Sequence, residues 1–374
     1  MHTIARIVVA TRNTSVIAGS TGGWQDGTGT TARFFQPSDV AVSSDLTTLY
    51  VSDTGNGAVR RMNLLTNAVT TLIGMGCTPL AANCDHGLAG CCSAHLLSNA
   101  CSLDTCYAPG TGTSASFANN RYLMFSTQPP FTDSAGGLFA SDDTGTISAI
   151  DLSASPPAMS MLQCLDPAGG SCTSCTSAGC ASYSFVQSFG ISLDAGGALF
   201  VAVSSSPALW QCTLPGSLSA LASCSRLVGT GIAYPYCIDV DTDGNCNEEM
   251  FSGEWTDETS GAPLTAGLIG PRGVTTDTAR GITFFSDGNV LRKYQSNQVV
   301  TFAGGRLKAI PGVTSSNLPS CPFPTNCLLP LAGSFNAMGT NAAFSAPSSV
   351  DYNAALNALL VSDTENGAVK LYFL

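Results

Sequence analysis

The sequence predicts an all-β fold, a β-propeller of four-stranded antiparallel blades, five in number with room for a sixth inside an insert. Three observations carry it. First, the chain ends by rewriting its beginning. Residues 31–64 and 341–374 align at a constant offset of 310, which places Phe34 on Phe344, Pro37 on Pro347 and Val40 on Val350. The block VSDTGNGAV at 51–59 then falls on VSDTENGAV at 361–369 without a gap. A repeat this long outranks local propensity. Second, the interior carries further copies. Residues 271–287 match 37–53 at an offset of 234. LFASD at 138–142 followed by GTISAIDL is a weaker copy, and LFVAV at 199–203 followed by ALWQCTL is weaker still and has lost the Ser-Asp pair. Third, apolar residues inside each copy come in short or alternating runs punctuated by Gly and Asn, the period of strands and tight turns.

Taken in order, Pro37 opens the first strand, with Val40 and Val42 alternating against polar neighbours. Leu49-Tyr50-Val51 is the second strand, and Asp53-Thr54-Gly55-Asn56-Gly57 is a turn in which Asn and Gly can take positive φ. Residues 58–62 form the third strand and 69–73 the fourth, closed by Gly74. One such sheet cannot bury both faces, whereas several packed around an axis can. The second strands carry Tyr50, Phe139, Phe200, Phe284 and Leu360 at matching places, which gives the count of five.

These phrases resemble the NHL repeat family. Ile17-Ala18-Gly19, Trp24-Gln25-Asp26-Gly27-Thr28-Gly29, Phe34 and Pro37 to Val42 stand as its opening, then LYVSDTGNGAVRRMN and VTTLIG as its continuation. The match is specific in blades one and five, good in four and loose in two and three, and it covers about two thirds of the chain. The inserts have no counterpart in it. The resemblance implies a single propeller over 1–374 whose closing blade joins N- and C-terminal strands. Some similar propellers are lyases or hydrolases that hold a metal at the central tunnel.

Only 10% of the 374 residues are charged, and the net charge of −11 leaves no basic stripe for nucleic acid. No apolar run approaches the roughly 20 residues that span a bilayer, so a soluble chain is expected. Sixteen cysteines fall in even sets inside inserts: Cys77, Cys84, Cys91, Cys92, Cys101 and Cys106, then Cys164, Cys172, Cys175 and Cys180. Three pairs follow, Cys212 with Cys224, Cys237 with Cys246, and Cys321 with Cys327. Local disulfides are the expectation, and with them a secreted or cell-surface location. Zinc, through Cys172-x-x-Cys175, His86 and His95, is the rival, but it leaves the isolated pairs unexplained.

The first ten residues are too short and too strand-like for a signal peptide, so a mature or partial chain is expected. ARIVVA and TSVIAG read as the last strands of a blade, and the C-terminus stops in a third strand. Ring closure needs one more strand where the N-terminal segment offers two. An irregular closing blade is one reading; a terminal strand pairing with another molecule is the other. The inserts at 75–110, 154–184, 205–224, 230–262 and 305–333 are expected as rim loops, where binding surfaces usually lie.

One insert reads D-x-D-x-D-G. Asp239, Asp241 and Asp243, with Asn245 and with Glu248 or Glu249 in place of the missing twelfth-position Glu (Met250), form a candidate structural calcium loop. Cys237 and Cys246 are placed to clamp it, and an acidic solvated turn is the alternative. No other cofactor is expected. Asn13 begins the one N-x-[ST] sequon and is the candidate glycosylation site. The recurring Asp53, Asp142, Asp287 and Asp363 read as repeat framework that accepts turn N–H groups, because a catalytic residue seldom recurs in every repeat. Enzymatic motifs are missing, the three histidines (His2, His86, His95) lie off the repeat strands, and Arg33, Gln36 and Arg272 are the rim residues nearest a tunnel pocket.

A non-enzymatic extracellular subunit of a filament, sheath or coat is therefore expected, self-associating through strands or loops. A monomeric adhesion module recognising protein or glycan by its rim loops is the alternative, and a metal-dependent lyase or hydrolase the second alternative.

Overall fold

The computed structural model describes residues 2–74, 110–115, 117, 120–128, 130–131, 135–142, 147–162, 188–204, 207–214, 216, 223–229, 234–240, 246–252, 263–304, 307–309, 328–330, 336, 339 and 342–374. It is an all-β, five-bladed propeller fold, and its chain clusters into two units.

The first unit, chiefly Met1–Asp166, opens on a hairpin of β1 (Thr3–Val8) and β2 (Asn13–Gly19). Blade one follows as β3 (Gly27–Thr28), β4 (Asp39–Val42), β5 (Thr48–Asp53), β6 (Ala58–Asn63) and β7 (Ala68–Ile73), in the spatial order β3-β7-β6-β5-β4. Blade two repeats it with β8 (Gly110–Thr111), β9 (Asn120–Ser126), β10 (Gly137–Asp142), β11 (Ile147–Asp151) and β12 (Ala158–Met161). The main strands form an antiparallel meander, and β3 and β8 add a two-residue ladder on the outer edge. Tyr50, Val59 and Ile73 of blade one bury against Phe117, Leu138 and Ile150 of blade two. On the other face of blade one, Phe34, Leu49, Val51 and Met62 bury against Ile4 and Ala18 of the hairpin. Each such side chain contributes about 1.5–3 kcal/mol, which is why the apolar alternation fixes the register.

The second unit, chiefly Phe185–Leu214 and Ser223–Leu374, holds three blades. Blade three is β13 (Ser188–Leu193), β14 (Ala198–Val203), β15 (Ala208–Thr213) and β16 (Ser223–Val228). A separate hairpin pairs β17 (Tyr234–Val240) with β18 (Cys246–Ser252). Blade four is β19 (Pro271–Asp277), β20 (Ile282–Asp287), β21 (Val290–Gln295) and β22 (Gln298–Ala303). A short pair, β23 (Leu307–Ala309) and β24 (Leu328–Pro330), precedes blade five, which is β25 (Pro347–Asn353), β26 (Ala358–Asp363) and β27 (Ala368–Phe373). Phe200 and Leu209 pack on Val274 and Phe285, and Phe284 and Leu291 pack on Phe344 and Val361.

Two local expectations change. The turn after the second strand is a single 3-10 turn, Thr54–Asn56, in which only Gly57 takes a positive φ, of 57°. Asn56 instead spends its side chain on the Asp53 carboxylate, donating at 2.7 Å. Asn366 repeats this at Asp363, and Gly367 has φ of 58°. The inserts, expected as loops, also contain strands. The end strand β12 lies within 154–184 and the β17–β18 hairpin within 230–262, while β15 is the ALWQCTL strand expected after LFVAV. Their apolar and β-branched residues satisfy a ladder even where the repeat signature has faded.

Candidate interaction surface

The repeat is tied together by a buried carboxylate at the end of the second strand in blades one, two, four and five, whereas the second strand of blade three ends on Val203. Asp53 has no exposure, and its Oδ1 accepts the Phe35 N–H at 2.7 Å from 18 residues upstream. Its Oδ2 accepts from Asn56 and, at 2.8 Å, from Arg60 on the third strand. Arg60, itself fully buried, also donates to the carbonyls of Arg33 and Gln25 and to Asp26, with its guanidinium 5.3 Å from the Phe34 ring centre. Blade four repeats the arrangement: Asp287 accepts the N–H groups of Ile269 and Gly270 and pairs with Arg292, which also donates to the Gly267 carbonyl. Blade five does so with Asp363, the Ser345 N–H and Lys370, whose ammonium donates to the Ala343 carbonyl and lies 5.0 Å from the Phe344 ring centre. Burial pushes the Asp53 and Asp287 carboxyls above the usual carboxylate range, against the pull of these donors. These groups are consumed by holding the opening loop onto the strands. They fasten the fold and face no open site. Asp142 of blade two is equally buried.

The two matching loops differ by a paired exchange. In blade one the Phe35 ring fills the space over Gly55, where a Cβ would stand 2.2 Å from the ring and 2.7 Å from the Phe35 carbonyl. In blade five those positions are Ser345 and Glu365, and the serine hydroxyl donates to the glutamate carboxylate at 2.6 Å.

Exposed apolar side chains gather on the terminal strands. Ile7, Val8, Val9 and Val16 are 42–51% exposed on or beside the β1–β2 hairpin, while Val369, Phe373 and Leu374 are 53%, 62% and 38% exposed on or beside β27. Among the described residues, β27 pairs with β26 alone and β1 with β2 alone. Unit one also carries an open cleft of about 470 Å³ whose lining includes the hydroxyl-bearing Thr70, Thr71, Thr111 and Ser114 together with Arg61 and Leu72. Thr71 is held by the Trp24 indole N–H at 3.0 Å and itself donates to Asp26.

The other sequence-derived residues fall as follows. Cys212 and Cys224 are disulfide-bonded and sit opposite each other across β15 and β16. Cys237 and Cys246 belong to β17 and β18. Cys77, Cys84, Cys91, Cys92, Cys101, Cys106, Cys164, Cys172, Cys175, Cys180, Cys321 and Cys327 lie outside the described residues, as do His86 and His95. Of the calcium candidates, Asp241, Asp243 and Asn245 lie outside them too, while Asp239 stands opposite Glu248 in the hairpin register and Glu249 opposite Cys237. Among the described residues no group of three acidic, His or Cys side chains could hold a metal. Asn13 is exposed at the start of β2. His2 stacks on Phe35 and accepts the Gln36 N–H. Arg33 and Gln36 are exposed in unit one, whereas Arg272 lies in unit two. No helix among the described residues is long and apolar enough to cross a membrane.

Sequence reasoning missed the start of blade two. Gly110-Thr111-Gly112-Thr113-Ser114-Ala115-x-Phe117 repeats Gly27-Thr28-Gly29-Thr30-Thr31-Ala32-x-Phe34. In both, the glycine after the threonine has a positive φ (57° and 51°), and the hydroxyl of Thr31 or Ser114 bonds back to the threonine before it. That motif was there to be read.

No protein family and no curated protein matches the chain. Among solved structures, it is similar to one described as a nidogen/laminin complex, at 10% identity and a TM-score of 0.43 over 97% of this chain and 85% of that one. It is also similar to an auxiliary nutrient binding protein from Bacteroides thetaiotaomicron, at 12% identity and a TM-score of 0.43 over 94% and 74%. A streptogramin B lyase is similar at 10% identity and a TM-score of 0.37 over 90% and 83%.

Proposed function

We propose that this chain is a non-enzymatic structural subunit of an extracellular filament, sheath or coat, joined to further copies through its terminal strands. The observation that carries the reading is the coincidence, at β27, of a strand edge with no partner among the described residues and exposed Val369 and Phe373. An open edge bearing apolar side chains is a template for another chain, and proteins that stay monomeric blunt such edges. The Cys212–Cys224 bond supports an oxidising, extracellular setting. Calcium in the 239–249 segment belongs to the same reading as a structural ion. The test is negative-stain microscopy of protein from its native source, without reductant and with calcium. Regular filaments or sheets are expected, and dispersed single particles at micromolar concentration overturn the reading.

The hydroxyl-lined cleft favours a second reading, a binding module for an uncharged polyhydroxylated ligand such as a glycan. Retention on glycan-coated surfaces that is lost in Thr71→Val would support it.

A further inference from the structure

The hairpin at the N-terminus is half a blade. In three of the four four-stranded blades, one, three and four, the ladder between third and fourth strands shifts register after the second residue of the third strand: Val59/Arg60, Leu209/Trp210 and Leu291/Arg292; the β11–β12 ladder of blade two runs without a shift. Ahead of the shift stands a buried apolar pair, Val59 with Ile73, Leu209 with Val228, and Leu291 with Ala303. The fourth strand ends on a positive-φ glycine pressed against the carbonyl that precedes the third strand. A Cβ on Gly74, Gly229 or Gly304 would come within 2.5–2.7 Å of the carbonyl oxygen of Gly57, Pro207 or Asn289. The β1–β2 hairpin has every one of these features. Its register shifts at Ile4/Ala5, Ile4 pairs with Ala18 and both are buried, and Gly19 at φ of 89° lies 2.4 Å from the His2 carbonyl oxygen by the same measure. β1 is therefore a third strand and β2 a fourth.

Blade five ends with β27, which is also a third strand. The terminal repeat places Val369 where Val59 stands in blade one, yet Val59 is fully buried and Val369 is 53% exposed. The seat that buries such a residue, beside a fourth strand and over the Phe34 cluster, is taken by Ile4. A fourth strand has one inward edge and accepts one third strand. Of the two contenders, β27 carries Lys370, the cation that its blade's Asp363 requires, and β1 has Ala5 at that place.

Building on the structural-subunit reading, we propose that β1 is a placeholder and that β27 of one copy takes its seat on β2 of the next. The existing ladder sets the register, with Val369 opposite Ala18, Lys370 opposite Val16, Leu371 opposite Ser15, Tyr372 opposite Thr14 and Phe373 opposite Asn13. One antiparallel ladder replaces another of the same geometry, so hydrogen bonding is conserved, and Val369 enters the cluster as Ile4 leaves it, two apolar terms of similar size that nearly offset.

The test uses the full chain with p-benzoylphenylalanine in place of exposed Phe373, mixed as isotopically heavy and light copies under assembling conditions and irradiated. Cross-links joining heavy to light chains at residues 13–16 are expected, together with loss of amide protection over Thr3–Val8 on assembly. Cross-links confined to one copy, heavy–light cross-links mapping elsewhere, or protection of β1 that survives assembly each overturn the exchange. If assemblies form in the microscope while the cross-links map elsewhere, the subunit reading stands and the exchange alone fails. If none form, the reading beneath it fails.

Discussion

Replacing Arg60 by methionine keeps much of the side-chain volume and removes the cation paired with Asp53. The two groups are fully buried and 2.8 Å apart, so the substitution strands a carboxylate that has already been taken out of water. Breaking a buried pair from one side costs about 3–5 kcal/mol, and the carbonyls of Arg33 and Gln25 each lose one of two donors, keeping the backbone N–H of the other residue. Asp26 adds little, being half exposed. The cost depends on pH in a direction the structure sets. Burial already raises the Asp53 carboxyl, so the folded state holds its proton more tightly than the unfolded chain. That contribution to stability is complete below the unfolded carboxylate range and is lost as pH rises through the folded value. Removing Arg60 raises the folded value further and widens the window. Arg60→Met should therefore be destabilised strongly at neutral pH and much less in acid, and Asp53→Asn in the same chain should recover part of the neutral-pH loss. Hydrogen exchange of the amides in 48–63 across that pH range reads the effect locally, which matters because two units need not unfold together. A loss equal at both ends of the range, or no recovery in the double variant, would refute the buried-charge account.

Further outcomes follow from the same geometry. Lys370→Met should weaken blade five by less than Arg60→Met weakens blade one, because Lys370 is 13% exposed and makes fewer bonds; exchange over 358–373 measures it. Gly55→Glu should destabilise blade one by driving a Cβ into Phe35, and adding Phe35→Ser should restore much of the loss, as thermal melts of the single and double variants would show. Opening the Cys212–Cys224 bond by a double serine substitution should cost about 2–3 kcal/mol for so short a loop, read as faster exchange in β15 and β16. Calcium should raise the melting temperature, and Asp241→Asn with Asp243→Asn should abolish the rise while leaving the chelated protein unchanged.

The fold was legible because blades one and five kept their signature: Tyr50 and Leu360, Asp53 and Asp363, Gly57 and Gly367 occupy matching places in sequence and in space. The surface was less legible. Apolar alternation tells which side chains face a sheet's neighbour but not whether that neighbour is present, so Val59 and Val369 read alike in sequence and differ completely in exposure. The role of Arg60, Arg292 and Lys370 was hidden for another reason. Their spacing from the aspartate is seven residues in blades one and five but five in blade four, where the connecting turn is shorter. A fixed-spacing search therefore misses the pairing. Asn56 shows a third limit: asparagine before glycine suggests a backbone conformation, and here it supplies a side-chain donor.

The exchange between Phe35 with Gly55 and Ser345 with Glu365 constrains history as well as packing. If the two loops descend from one ancestor with the blade-five pair, glycine had to arrive before phenylalanine, since the ring fits only where no Cβ stands. The reverse path likewise must shed the ring first. Recombination between the two copies of the repeat joins the ring to the glutamate in one of its two products. The pair thus acts as a barrier to homogenisation, letting the first and last blades drift apart while the VSDT and NGAV runs beside it stay the same.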